Sequence, residues 1–164
     1  MRVRAINYFD RLQTVDESEL EQLKQHVERE GYSAFRQLLD QFMRALKQIE
    51  NEESIGRVKL QVEKASSLFP EPARFSPSWQ NVWNELLDSL RWMEHVYEHV
   101  AVSDRNGEWQ VLLDNPFTNQ EVVCYPGLQF QEAAYLFGYF KPTLVRNEYL
   151  RLQKITTAII ETGE

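Results

Sequence analysis

Cysteine is almost missing from this chain: Cys124 is the only one in 164 residues. An intrachain disulfide is therefore impossible, and the oxidising compartments gain no support. No apolar run approaches the roughly 18 to 20 residues needed to cross a bilayer. The opening MRVRAINYFDRLQ also lacks the continuous apolar core of a secretion signal. Cytoplasm is the expected location, and a membrane is not an expected partner. Positive charge is short too, with 18 Lys and Arg against 25 Asp and Glu, a net charge of −7. Residues 1–70 carry 11 basic and 12 acidic groups and residues 71–164 carry 7 and 13, so the halves stand at −1 and −6. An acidic surface repels phosphate backbones and lacks the attraction behind most nucleic-acid affinity. No nucleic-acid partner is expected.

The motifs of common chemistries are missing as well. There is no phosphate-binding glycine loop, no G-x-S-x-G elbow, no H-E-x-x-H and no zinc-type cysteine spacing. Cys124 has no histidine near it in sequence to generate a thiolate, so it reads as a structural thiol. No cofactor is expected, and catalysis has no positive support.

What is present is an ordinary globular composition, 43% hydrophobic and 26% charged, in a chain long enough for one core and short for two. The expectation is one helical domain over residues 1–164. The fold class is mainly α: an antiparallel bundle of four to six helices with one inserted β-hairpin at about 108–125.

The strongest helical signal runs from Ser76 to Ser103. Ser76 suits a cap and Pro77 the first helical position. Trp79, Val82, Trp83, Leu86, Leu87, Leu90, Met93, Tyr97 and Val100 form one apolar stripe. His95 and His99 fall roughly 150° or more from its centre, and Trp92 roughly 130°. Upstream, Val3, Ile6, Phe9 and Leu12 suit a short helix. Asp16 with Glu19 resembles a capping box before Leu20, Leu23 and Val27. The stripe Phe35, Leu38, Leu39, Phe42, Leu46, Ile49 keeps phase across Gly31, so residues 17–50 are either one bent helix or two. Residues 54–69 predict another helix, and PEPARF (70–75) reads as a linker.

Beyond residue 104 the period changes. Trp109, Val111 and Leu113 alternate as a strand, DNPFTN is a loop, and 121–125 is a second strand. An isolated hairpin is marginal in water, so Trp109, Val111, Val123 and Tyr125 are expected to pack on the helices. The tail predicts helix at 131–140 and again through Leu144, Val145, Tyr149, Leu152, Ile155 and Ile159.

Four candidate sites follow. A tryptophan on the wet face must be covered by something, which makes Trp92, Val96, His95 and His99 a partner surface unless the chain itself folds over them. Phe117, in the hairpin loop, is a second partner anchor. His95 and His99 at i, i+4, with Asp88 on the same face and His26 or another carboxylate from elsewhere, are the candidate metal ligands, and the chain has no other histidines. Phe130, Tyr135 and Tyr139 belong to an aromatic cluster that lines either a core or a small-molecule pocket. Gly138 in that cluster suits a close helix crossing. The preferred reading is a non-catalytic interaction or regulatory module that binds another protein or itself. A metal-dependent bundle enzyme using His95 and His99, and a small-ligand-binding helical domain, stand as the alternatives.

Overall fold

The computed structural model describes residues 7–69, 77–115 and 120–156. The fold is mainly helical, with a small antiparallel sheet inserted near its end. In chain order the elements are α1 (Tyr8–Leu12), α2 (Glu17–Glu30), α3 (Tyr32–Lys47), α4 (Glu52–Ser67), α5 (Pro77–His99), β1 (Glu108–Asn115), β2 (Gln120–Leu128), α6 (Phe130–Phe140) and β3 (Tyr149–Ile155).

Short polar side chains start the helices where backbone N–H groups lack partners. The Asp16 carboxylate accepts from the Glu19 N–H at 2.8 Å. Asn51 and Ser54 cap each other reciprocally at the head of α4. Gly31 resolves the choice left open for residues 17–50. Its backbone sits at φ 55° and ψ −119°, which no helix accommodates, so α2 and α3 are separate helices.

The core is one contiguous cluster drawn from all six helices and from β1. Tyr8, Phe9 and Leu12 seat α1 in it. The Gln41 side chain accepts from the Phe9 N–H at 3.2 Å, and Gln61 Nε2 donates to the Phe9 carbonyl at 2.7 Å. Trp83, Leu86, Leu90, Met93 and Tyr97 of α5 are buried, as the stripe requires. Val82 departs from it and is exposed. The segments containing Ser76, the 70–75 linker and residues 1–6 lie outside the described residues.

The sheet has the order β2-β1-β3. The hairpin extends to Leu128, and a third strand stands where a helix was expected. Residues 149–155 pair antiparallel with β1 from Glu108↔Ile155 to Asp114↔Tyr149. The sequence satisfied two periods here: Tyr149, Leu152 and Ile155 repeat every three residues, while Leu150 and Leu152 alternate. Ladder hydrogen bonds to the otherwise open side of β1 decide for the strand. The preceding chain helps, since Asn147 takes φ 72°, outside a right-handed helix.

Register explains a second departure. Trp109 and Val111 are buried against the helices, but Val123 and Tyr125 are 44% and 37% exposed. Pairing with β1 slips between Trp109 and Val111 and again between Val111 and Leu112. Across these irregularities β2 carries two extra residues: Cys124 lies between the partners of Val111 and Leu112, and Pro126 with Gly127 stands opposite the single residue Gln110. The irregularities put Val123 opposite Leu112 and Tyr125 opposite Val111, on opposite faces of the sheet.

Candidate functional site

The helices do not cover the whole inner face of the sheet. Past Trp109, that face continues as Val111, Leu113 and Leu150. Opposite it stand Phe140, at the end of α6, and the connector to β3. Between the two lies a cleft of about 350 Å³. Its walls are Val111, Leu113, Tyr125, Phe140, Leu144 and Leu150; Cys124, Thr143 and Glu148 supply its polar atoms.

Each wall is held by local chemistry. The Tyr125 ring stacks on Phe140, centroids 5.7 Å apart and planes 16° from parallel. Phe140 in turn meets the edge of Tyr139 at 5.1 Å. Lys141–Thr143 forms one 3₁₀ turn, and the Thr143 hydroxyl donates to the Phe140 carbonyl at 2.8 Å. The connector then closes on itself: the Glu148 carboxylate accepts from the Val145 N–H at 2.9 Å, and the Glu148 N–H donates to the Val145 carbonyl at 3.1 Å. That turn presents Val145, 65% exposed, beside the cleft, while Val122, 52% exposed, continues the apolar surface from Leu113 across to β2. The Cys124 thiol is exposed at the bulge and makes only a long 3.8 Å contact to the Val122 carbonyl. Volume, apolar walls and few polar atoms are the ordinary features of a recognition pocket.

The residues singled out from sequence do not converge there. Trp92 is half-buried under α6 and the 3₁₀ turn, with Lys141 Nζ 4.9 Å above its ring and Phe137 edge-on at 6.3 Å. Val96, beside it, is buried, so α5 is covered on two sides by its own chain. His95 and His99 are exposed on the remaining side, ring centroids 3.9 Å apart. His26 stands apart in α2, its ring 6.1 Å from Tyr8. No group of three or more His, Cys, Asp or Glu able to hold a metal occurs among the described residues. Phe117 lies outside the described residues. Phe130 is buried between Tyr97 and Trp109, each 5.1 Å away, and fills the core. Tyr135 and Tyr139 stack at 5.8 Å on the outer side of α6, with Lys47 Nζ 5.7 Å from the Tyr135 ring.

The side chains with displaced ionisation are elsewhere. Burial pushes the Tyr97 phenol up to about 12 against the opposing pull of the Arg105 cation. Burial likewise raises Tyr8 and Tyr135. Arg105 bonds the Glu52 carboxyl and holds it below its ordinary value. None of these groups lines the cleft.

Nothing in the sequence pattern marks Leu113, Leu144 and Leu150 as neighbours. Their proximity requires β3 to be a strand, and the helical reading of 144–159 dispersed them. Compared with protein-family models, with curated proteins and with solved structures, the chain matches none.

Proposed function

We propose that this protein is a non-catalytic interaction module of the cytoplasm, and that the cleft between the sheet and the α6–β3 connector receives an apolar side chain of another polypeptide. The observation that carries the reading is the continuity of apolar surface from the cleft walls onto exposed Val122, Tyr125 and Val145. Binding energy at protein interfaces concentrates where a large side chain fills a desolvated pocket with near-neutral contacts around it. The cleft supplies the pocket, and Val122 and Val145 supply the surrounding apolar contact. A lone exposed thiol suits a reducing compartment, and the net charge of −7 favours a protein over a nucleic acid as partner.

The test is selection from a random peptide display library on the intact chain, followed by binding of the enriched peptides to variants. Peptides with a leucine or aromatic anchor are expected, and Leu144→Asp and Val122→Lys are expected to abolish their binding while leaving the circular dichroism spectrum intact. Peptides that bind both variants equally well would place recognition elsewhere and remove the basis of the reading. The cleft volume also suits a compact apolar small molecule. A thermal-shift response to such compounds without any peptide enrichment would put that second reading in its place.

A further inference from the structure

On the far side of α5 from the core, His95 and His99 lie one helical turn apart. Their ring centroids are 3.9 Å from each other, and both side chains face solvent. His99 Nδ1 lies 2.8 Å from the His95 carbonyl oxygen. A carbonyl only accepts, so Nδ1 carries a proton, and in the neutral ring Nε2 is the nitrogen left with a lone pair. Fixing one imidazole nitrogen on a backbone carbonyl is the usual way a protein sets a histidine for metal ligation through the other. On the opposite side, the edge of Trp92 meets His95, centroids 5.4 Å apart, and limits the rotation of that ring.

We propose that His95 and His99 form a two-imidazole seat for a divalent transition cation of the copper, nickel and zinc class on the outer face of α5. Two nitrogens sharing such an ion at about 2.0–2.1 Å each stand roughly 3 Å apart, and side chains at i and i+4 reach that separation without moving the backbone. Imidazole is the donor these ions favour. Water completes the shell; of the carboxylates on this helix, Glu94 pairs with Lys59 at 3.0 Å and Asp88 with Arg91 at 2.8 Å. The seat is independent of the cleft, which α6 and the sheet place on other elements. Occupying it links the last turn of α5 to the turn before, so binding is coupled to helix integrity.

The experiment uses untagged protein in a Cys124→Ser background, so that the exposed thiol does not compete for metal. Calorimetric titration with nickel(II) is expected to give one ion per chain. His95→Ala and His99→Ala are each expected to weaken binding at least about tenfold, because the second ligand no longer acts intramolecularly. His26→Ala is expected to leave it unchanged. Copper(II) is expected to bind more tightly than nickel(II), with an electron paramagnetic resonance spectrum showing two equivalent nitrogen ligands that become one in either single variant. Absence of saturable binding, binding insensitive to His95→Ala, or a spectrum without two nitrogens overturns the proposal.

Discussion

Gly138 of α6 presses against Met93 of α5 so closely that a single added carbon has nowhere to go. A Cβ built on Gly138 would overlap Met93 Cγ and come within 2.8 Å of the Ser89 backbone oxygen. The backbone of α5 cannot yield as a side chain does. Ser89 is buried at this contact, and Ala133 and Ala134 of α6 are buried as well.

Gly138→Ala therefore sets two effects against each other. In a free helix, alanine is favoured over glycine by about 1 kcal/mol. Overpacking of a tight core contact costs about 1–3 kcal/mol, and here it outweighs the gain because the obstacle is backbone. The expected result is a lower urea midpoint and a lower Tm than wild type. An equal or higher midpoint would show that the helices part freely, and the close crossing would carry no energy.

This crossing was legible in the sequence, and the cleft was not, for the same physical reason. Gly138 sits in a helix whose phase is set locally by Phe130, Ala133, Ala134 and Phe137, so its face can be read from spacing alone. The stripe of α5 was readable for the same reason, and so were the positions of Asp16 and Trp109, whereas the break at Gly31 stayed open because the apolar phase runs through it. Leu152 satisfied a helical period with Tyr149 and Ile155 and a strand period with Leu150, and only pairing with β1, some forty residues earlier, selects between them. Trp92 and Val96 show the other limit: spacing places them off the main stripe correctly, but it cannot foresee that α6 returns to cover them.

Gly31→Ala tests the separation of α2 from α3. Nothing lies within 4 Å of a Cβ at Gly31, so packing is indifferent to the change. The backbone is not, because φ 55° with ψ −119° is a conformation that L residues rarely adopt. The expected cost is about 1–2 kcal/mol in chemical denaturation. Were residues 17–50 a continuous helix, the same substitution would stabilise, so the sign of the change separates the two architectures.

Arg105 ties three helix ends together. Its guanidinium donates to the Val100 and Tyr97 carbonyls at the end of α5, at 3.1 and 2.7 Å, and forks onto the Glu52 carboxylate at the start of α4. It also stacks 4.9 Å from the Tyr97 ring and 5.5 Å from Phe130 of α6. Arg105→Ala is expected to cost about 2 kcal/mol or more, since it strands carbonyls in a part-buried site. Arg105→Lys is expected to recover little, because an ammonium cannot reproduce the fork. The Arg105 hydrogen bond depresses the Glu52 carboxyl below 4.5, so the stability it contributes is present above that pH and is lost as pH falls through the lower, folded value. A Glu52→Gln variant should lack this acid-limb increment. Identical acid limbs in the two proteins would mean that the bond is not made in solution.

Tyr97 supplies the opposite limb. Its hydroxyl donates to the Ile49 carbonyl at 3.3 Å in a buried site, and burial disfavours the phenolate. The group ionises at about 12 in the folded chain against 10 when solvated. With the folded value raised, the neutral phenol's stabilisation is whole below pH 10 and is lost as pH rises toward about 12. Spectrophotometric titration near 295 nm should show Tyr97 as the last phenol to ionise. Tyr8 and Tyr135 are raised by burial too, so the assignment of that step rests on the variant. Tyr97→Phe should delete the final step and flatten the alkaline loss of urea resistance above pH 10. A variant that keeps that final step would assign it to another tyrosine, and the Arg105 cation would then be stacked on a ring with no part in the alkaline transition.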